Sequence, residues 1–200
     1  MTTLLVATTN KGKLREIREI MAGEPYDIIS LDDALRLGYI SEIPEVIEDG
    51  DTFEHNAIKK ATEVMRYANV AVLADDSGLE IDFLGGQPGV HSAYYMGADT
   101  PYTQRNARIV EMMRGIGAGG RAARFVCVIA IAFTDGRTLT ARGVCEGVIA
   151  QKAAGCEGFG YDPIFYVPSL GKTFAEMNIA EKNAISHRAT ALREIRQVLV

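Results

Sequence analysis

Apolar and polar positions along the chain follow two periods. Leu4, Leu5, Val6 and Ala7 form a short apolar run that gives way to the polar stretch Thr8-Thr9-Asn10-Lys11-Gly12-Lys13, behind which Leu14, Ile17, Ile20 and Met21 recur at helical spacing. That order predicts a strand, a polar loop and a helix. Residues 31–50 lack such a period and are acidic, so a loop is expected there. Asp51 and Glu54 then stand at capping-box spacing ahead of a stripe of Phe53, Ala57, Ala61, Val64 and Ala68, which predicts a second helix. The helix delivers the chain to the apolar run Val70, Ala71, Val72 and Leu73, a strand expected to end at Asp75.

Gly85-Gly86-Gln87-Pro88-Gly89 interrupts the chain, and residues 100–114 look helical. Residues 121–134 and 137–149 read as two strands joined at Asp135-Gly136, a dipeptide suited to a tight hairpin. A turn rich in glycine, through Gly155, Gly158 and Gly160, precedes the apolar segment Ile164, Phe165, Tyr166 and Val167. A last helix is expected from about Ser186, with Ala189, Leu192, Ile195 and Leu199 on its apolar face. The fold class that follows is α/β: a mixed, twisted sheet in two lobes flanked by helices, with residues 1–200 forming a single domain around a central substrate cleft.

Composition narrows the function. Apolar residues make up 48% and charged residues 24%, a balance that supports a packed core and argues against disorder. A formal net charge of −5 argues against broad attachment to nucleic acid or to an anionic membrane. No apolar stretch approaches the ~20 residues of a membrane span. The start, Met1-Thr2-Thr3-Leu4, lacks the regions of a signal peptide, so a cytoplasmic protein is expected. Cys127, Cys145 and Cys156 are odd in number and include no Cys-x-x-Cys pair, which suggests neither a disulfide framework nor a zinc site. His55, His91 and His187 are widely separated, so a divalent metal would rely on carboxylates, which favours magnesium or manganese.

Five polar segments could carry chemistry. Asn10, Lys11 and Lys13 lie between a strand and a helix start, where backbone N–H groups and the helix dipole favour a phosphate; a solvated helix start reads the same way. Glu45, Glu48, Asp49 and Asp51 crowd the loop before the second helix, either as a solvated cluster or as partners of Asp75 and Asp76 around a hydrated Mg2+. Asp75-Asp76-Ser77-Gly78 itself suits a turn, a cap or a metal site, and alternation along a strand sends the two carboxylates in opposite directions. In Gly158-Phe159-Gly160-Tyr161-Asp162-Pro163 the rings suit stacking on a heteroaromatic base while Asp162 accepts from its N–H edge; the alternative is a turn whose rings pack on the core. Finally, Ser186 is a good N-cap, but His187 and Arg188 in the first turn oppose the helix dipole, which suggests an external acceptor such as a 6-keto oxygen.

Taken together, Thr8 to Lys13, Ala74 to Leu79, Gly85 to Val90, Gly158 to Phe165 and Lys182 to Arg188 resemble the inosine triphosphate pyrophosphatase family, in order and over nearly the whole chain. The resemblance implies hydrolysis of ITP, dITP and XTP to the monophosphate and pyrophosphate, with Mg2+ or Mn2+, in a homodimer of two-lobed α/β protomers. It maps the purine nucleoside triphosphate onto Thr8, Asn10 and Lys13, within a segment that includes Thr9, Lys11 and Gly12. Asp76 becomes the proton acceptor, with Ser77 beside the substrate. Phe159, Gly160, Tyr161, Asp162, Lys182, His187 and Arg188 fall at base-recognition positions. Metal is expected at Asp76, with Asp75 and with Glu45 or Glu48. One departure is Tyr94, in Ser92-Ala93-Tyr94-Tyr95, where the family usually has arginine. Two other readings are a pyrophosphatase for other modified nucleotides and a purine-nucleotide-binding regulator without hydrolysis.

Overall fold

In the computed structural model, which describes residues 2–199, the first apolar run becomes strand β1 (Thr2–Val6) and the polar loop leads into helix α1 (Lys11–Ile20). Strand β2 (Tyr26–Ser30) and helix α2 (Leu31–Leu37) follow, so the expected loop over residues 31–50 begins as a helix. Local chemistry explains the difference. Ser30 and Asp33 form a reciprocal capping box, and Gly38 closes the helix in the left-handed region at φ 80°. Two turns are too short for apolar periodicity to register.

Helix α3 (Phe53–Ala68) buries Phe53, Ala57, Ala61, Val64 and Ala68, the stripe expected of it. Its cap is Thr52 rather than Asp51: the Thr52 hydroxyl accepts from the His55 N–H at 3.1 Å. Strand β3 (Ala71–Ile81) does not stop at Asp75 but continues through both carboxylates. Pairing within the sheet, where β3 lies between β1 and β4, overrides the turn preference of Asp-Asp-Ser-Gly.

Helix α4 (Tyr102–Met112) precedes the hairpin of β4 (Ala122–Ala132) and β5 (Thr138–Ile149), which turns at Gly136 with φ 89°. Short strands β6 (Phe165–Val167) and β7 (Lys172–Thr173) complete one seven-stranded mixed sheet of order β2-β1-β3-β4-β5-β6-β7. β1 pairs in parallel with β2 and β3, while β6 pairs antiparallel with β5 and β7. Before helix α6 (His187–Val198) stands a further helix, α5 (Ile179–Ile185), capped by Asn178 with Glu181 and ended by Ser186. Ser186 therefore lies between two helices.

The chain divides into two compact units. The first comprises the chain up to Asp76, Cys127–Gly143 and the chain from Arg188; the second comprises Ser77–Val126 and Val144–His187. Each has its own core. In the first, Leu4, Val6, Ile17, Leu73, Ile129 and Leu192 pack together; in the second, Leu79, Ile109, Phe125, Phe165 and Phe174 do. Among the described residues no helix is long and apolar enough to cross a membrane.

Candidate active site

In the first unit, Asn10 caps α1: its Oδ1 accepts from the N–H groups of Gly12 at 2.9 Å and Lys13 at 3.1 Å. Its own N–H donates to Thr8 Oγ1 at 3.2 Å, so Thr8, Asn10, Gly12 and Lys13 form one interlocked turn, with Thr9 and Lys11 exposed. The cap directs the first turn of α1 and, with it, Lys13. That lysine forms an ion pair with Asp75 on β3.

Asp75 is the centre of a buried charge cluster. Arg188 Nε and Cys127 Sγ each donate to its Oδ2 at 2.9 Å, and Arg188 Nη1 pairs with Glu16 on α1. Burial pushes the Asp75 carboxyl up, but the Arg188 and Lys13 charges outweigh it and hold the group well below the usual carboxylate range. Burial, reinforced by Asp75, pushes the Cys127 thiol well up, so it stays a donor. Arg188, 1% exposed, lies between the carboxylates of Asp75 and Glu16, and Asp75 is met by two cations and a thiol.

Asp76 is in the opposite condition. It is 5% exposed, and its Oδ2 has no hydrogen-bond partner among the described residues. Burial pushes its carboxyl up to about 6, with Glu48 adding to the rise while Lys13, Lys60 and a hydrogen bond from Asn56 oppose it. Asn56, on α3, also fixes the acidic loop: Gly50 N–H donates to its Oδ1 at 2.7 Å. A Cβ on Gly50 would stand 2.7 Å from that oxygen, so the loop approaches α3 there only without a side chain. Glu48 pairs with Lys60, and Glu45 is exposed. Among the described residues no three His, Cys, Asp or Glu side chains gather closely enough to hold a metal by themselves.

In the second unit, the turn from Gly158 to Asp162 is built around one carboxylate. Asp162 Oδ2 accepts from the Phe159 N–H at 2.8 Å and from Lys182 Nζ at 2.6 Å. Gly158 has φ 72°, and a Cβ there would lie 2.1 Å from the same oxygen, so the turn requires glycine. Lys182 Nζ also lies 4.7 Å from the centre of the half-buried Phe159 ring. Tyr161 is 3% exposed and donates from its hydroxyl to Ser92 O at 2.9 Å, which puts its ring in the core as well as in the turn. His187 stacks on Phe125 with ring centres 4.7 Å apart. Ser77, directly after Asp76 in β3, is half-buried.

Phe159, Gly160, Tyr161, Asp162 and Lys182 are therefore brought together, as are Thr8, Asn10 and Lys13. Sequence reasoning did not single out Glu16, Asn56, Lys60 or Cys127. A signal existed for Glu16, which shares the α1 face of Lys13 and Ile20 through three- and four-residue spacing.

The Ham1 family model matches residues 4–198. A relative in Desulforamulus reducens, named dITP/XTP pyrophosphatase, is 46% identical over 98% of this chain and 94% of its own. One of the same name in Shouchella clausii is 46% identical over 100% and 97%. The solved structure of a HAM1 protein from Coxiella burnetii superposes with a TM-score of 0.86 at 38% identity, covering 100% of this chain and 98% of that one.

Proposed function

Because the chain belongs to the Ham1 family, and full-length relatives are named dITP/XTP pyrophosphatase, we propose that it hydrolyses non-canonical purine nucleoside triphosphates, dITP, XTP and ITP, to the monophosphate and pyrophosphate. The observation that carries the chemistry is Asp76. A carboxylate almost wholly buried, with one oxygen unpaired and its pKa raised to about 6, is a stronger base than an ordinary aspartate yet still ionised at neutral pH. It accepts the proton of a water attacking the α-phosphorus.

Lys13, held by its ion pair with Asp75, presents positive charge to the departing pyrophosphate. The capped start of α1, with Thr8 and Asn10, orients the phosphates. Magnesium fits this donor set, since it keeps several waters and needs only one or two carboxylates besides the substrate phosphates. Asp76 would hold it by way of one of those waters, which leaves its unpaired oxygen to take the proton, with Glu48 released from Lys60, or Glu45, as a direct ligand. When bound, Mg2+ or Mn2+ neutralises phosphate charge and acidifies water. Asp75, already compensated by Lys13 and Arg188, braces the lysine rather than the ion.

In the second unit, the turn from Phe159 to Asp162, with Lys182 and His187, reads the base. Arg188 serves the phosphate end instead, through Asp75 and the lysine that it braces. A homodimer in the cytoplasm completes the proposal, resting on the family resemblance.

Incubation with dITP, XTP, ITP, GTP and ATP in the presence of Mg2+, with products separated by anion exchange, tests the reading. Monophosphate and pyrophosphate in equal amounts from the first three, with ATP turned over poorly, is the expected result. Stepwise release of orthophosphate, or binding without turnover, would replace it with one of the other readings.

A further inference from the structure

The turn that reads the base is held by one face of α4. Tyr102, Arg105 and Asn106 stand at i, i+3 and i+4 and therefore share that face. Arg105 is 1% and Asn106 5% exposed. Burying two polar side chains on one helix forfeits their hydration, and specific bonds must offset the loss. Arg105 donates to the carbonyls of Ser92, Ala93, Gly97 and Ala98, which fixes the loop that also receives the Tyr161 hydroxyl. Asn106 Nδ2 donates to Gly160 O at 3.0 Å. The Tyr102 ring meets Tyr161 edge-on at 5.1 Å, and a Cβ on Gly160 would lie 3.7 Å from that ring.

Gly160 presents only an acceptor to Asn106, so the amide must turn its nitrogen toward it. That orientation leaves Asn106 Oδ1 buried without a hydrogen-bond partner among the described residues. An apolar side chain at this position would avoid the orphaned Oδ1 but would take the donor from the Gly160 carbonyl. The asparagine is costly for the core, and its compensation is the bond to one carbonyl of the turn.

We propose that Asn106 is a positioning residue for base recognition: its bond to Gly160 fixes the path of the turn that presents Phe159, Tyr161 and Asp162. The inference rests on the function proposed above. Asn106→Asp keeps the shape but sets a carboxylate against the Gly160 carbonyl, and Asn106→Ala removes the donor without adding charge. In both variants KM for dITP should rise about tenfold or more, with kcat within a few-fold of wild type. Affinity for IMP, measured by calorimetry, should fall in parallel. Inhibition by pyrophosphate, which carries no base, should not change.

A purely structural role would lower kcat through a smaller folded fraction and leave KM and IMP affinity alone, and that result overturns the inference. So does a loss of pyrophosphate inhibition in step with IMP. If wild type turned over no purine triphosphate, the functional reading would fall first, and IMP calorimetry on wild type and variants would still decide whether Asn106 positions a base-binding turn.

Discussion

A carboxylate inside a strand, with one oxygen unpaired, opposes folding in proportion to its charge. For Asp76 the rise from 3.8 to about 6 corresponds to about 3 kcal/mol favouring the protonated form. Because its folded pKa is raised, the stability this group supports is full below 3.8 and is lost as pH climbs through about 6. Asp76→Asn is neutral throughout, so it should stabilise the metal-free protein by up to about 3 kcal/mol at pH 8 and by little at pH 4. Urea unfolding at the two pH values measures this; an equal gain at both would mean that charge is not the cause. The same substitution should lower kcat by roughly 10²-fold or more, since the amide neither accepts the proton nor serves as an anionic ligand. Gain of stability with loss of turnover is the signature of a group kept for chemistry.

At the scale of elements, Arg188 joins three of them: it opens α6, pairs with Glu16 of α1 and with Asp75 of β3. Arg188→Ala would remove the cation that the buried carboxylates of Asp75 and Glu16 share. A loss of about 3–5 kcal/mol is expected for a broken buried pair. Denaturant unfolding reads it, and an unchanged midpoint would mean the cluster contributes nothing. The discrimination between ITP and ATP should change little compared with this loss of stability, in contrast to what the sequence position of Arg188 suggested.

That contrast marks where legibility stopped. Helices α3 and α6 were plain because a stripe repeated over several turns leaves no other reading, and the β4–β5 hairpin was plain because Asp135-Gly136 suits one turn. Helices α2 and α5 have seven residues each and are defined by their caps rather than by a period. Lys13, Asp76 and the turn at 158–162 stood out as motifs. Their supports did not, because Glu16, Cys127 and Asn106 lie on buried faces whose neighbours only the folded sheet determines. The two aspartates could be seen to point apart along a strand; which would be compensated by cations and which left unpaired depended on Arg188, more than a hundred residues away.

For the whole molecule, neither unit is one continuous segment: the chain crosses between them after Asp76, Val126, Gly143 and His187. Neither core can form from one stretch of sequence, so folding of either unit requires most of the chain. Unfolding should therefore be one cooperative transition although each unit packs an apolar cluster of its own. A ligand held at Asp76 would then stabilise everything at once. At about 100 times its Kd, Mg2+ would add about 2.7 kcal/mol. For a chain of this size that moves Tm by roughly 5–10 °C. Calorimetry with and without Mg2+ should show one peak displaced intact, and Asp76→Asn should abolish the displacement while keeping the peak single. Two peaks, of which Mg2+ moves only one, would mean that the units unfold independently; a shift that survives Asp76→Asn would place the ion on other carboxylates.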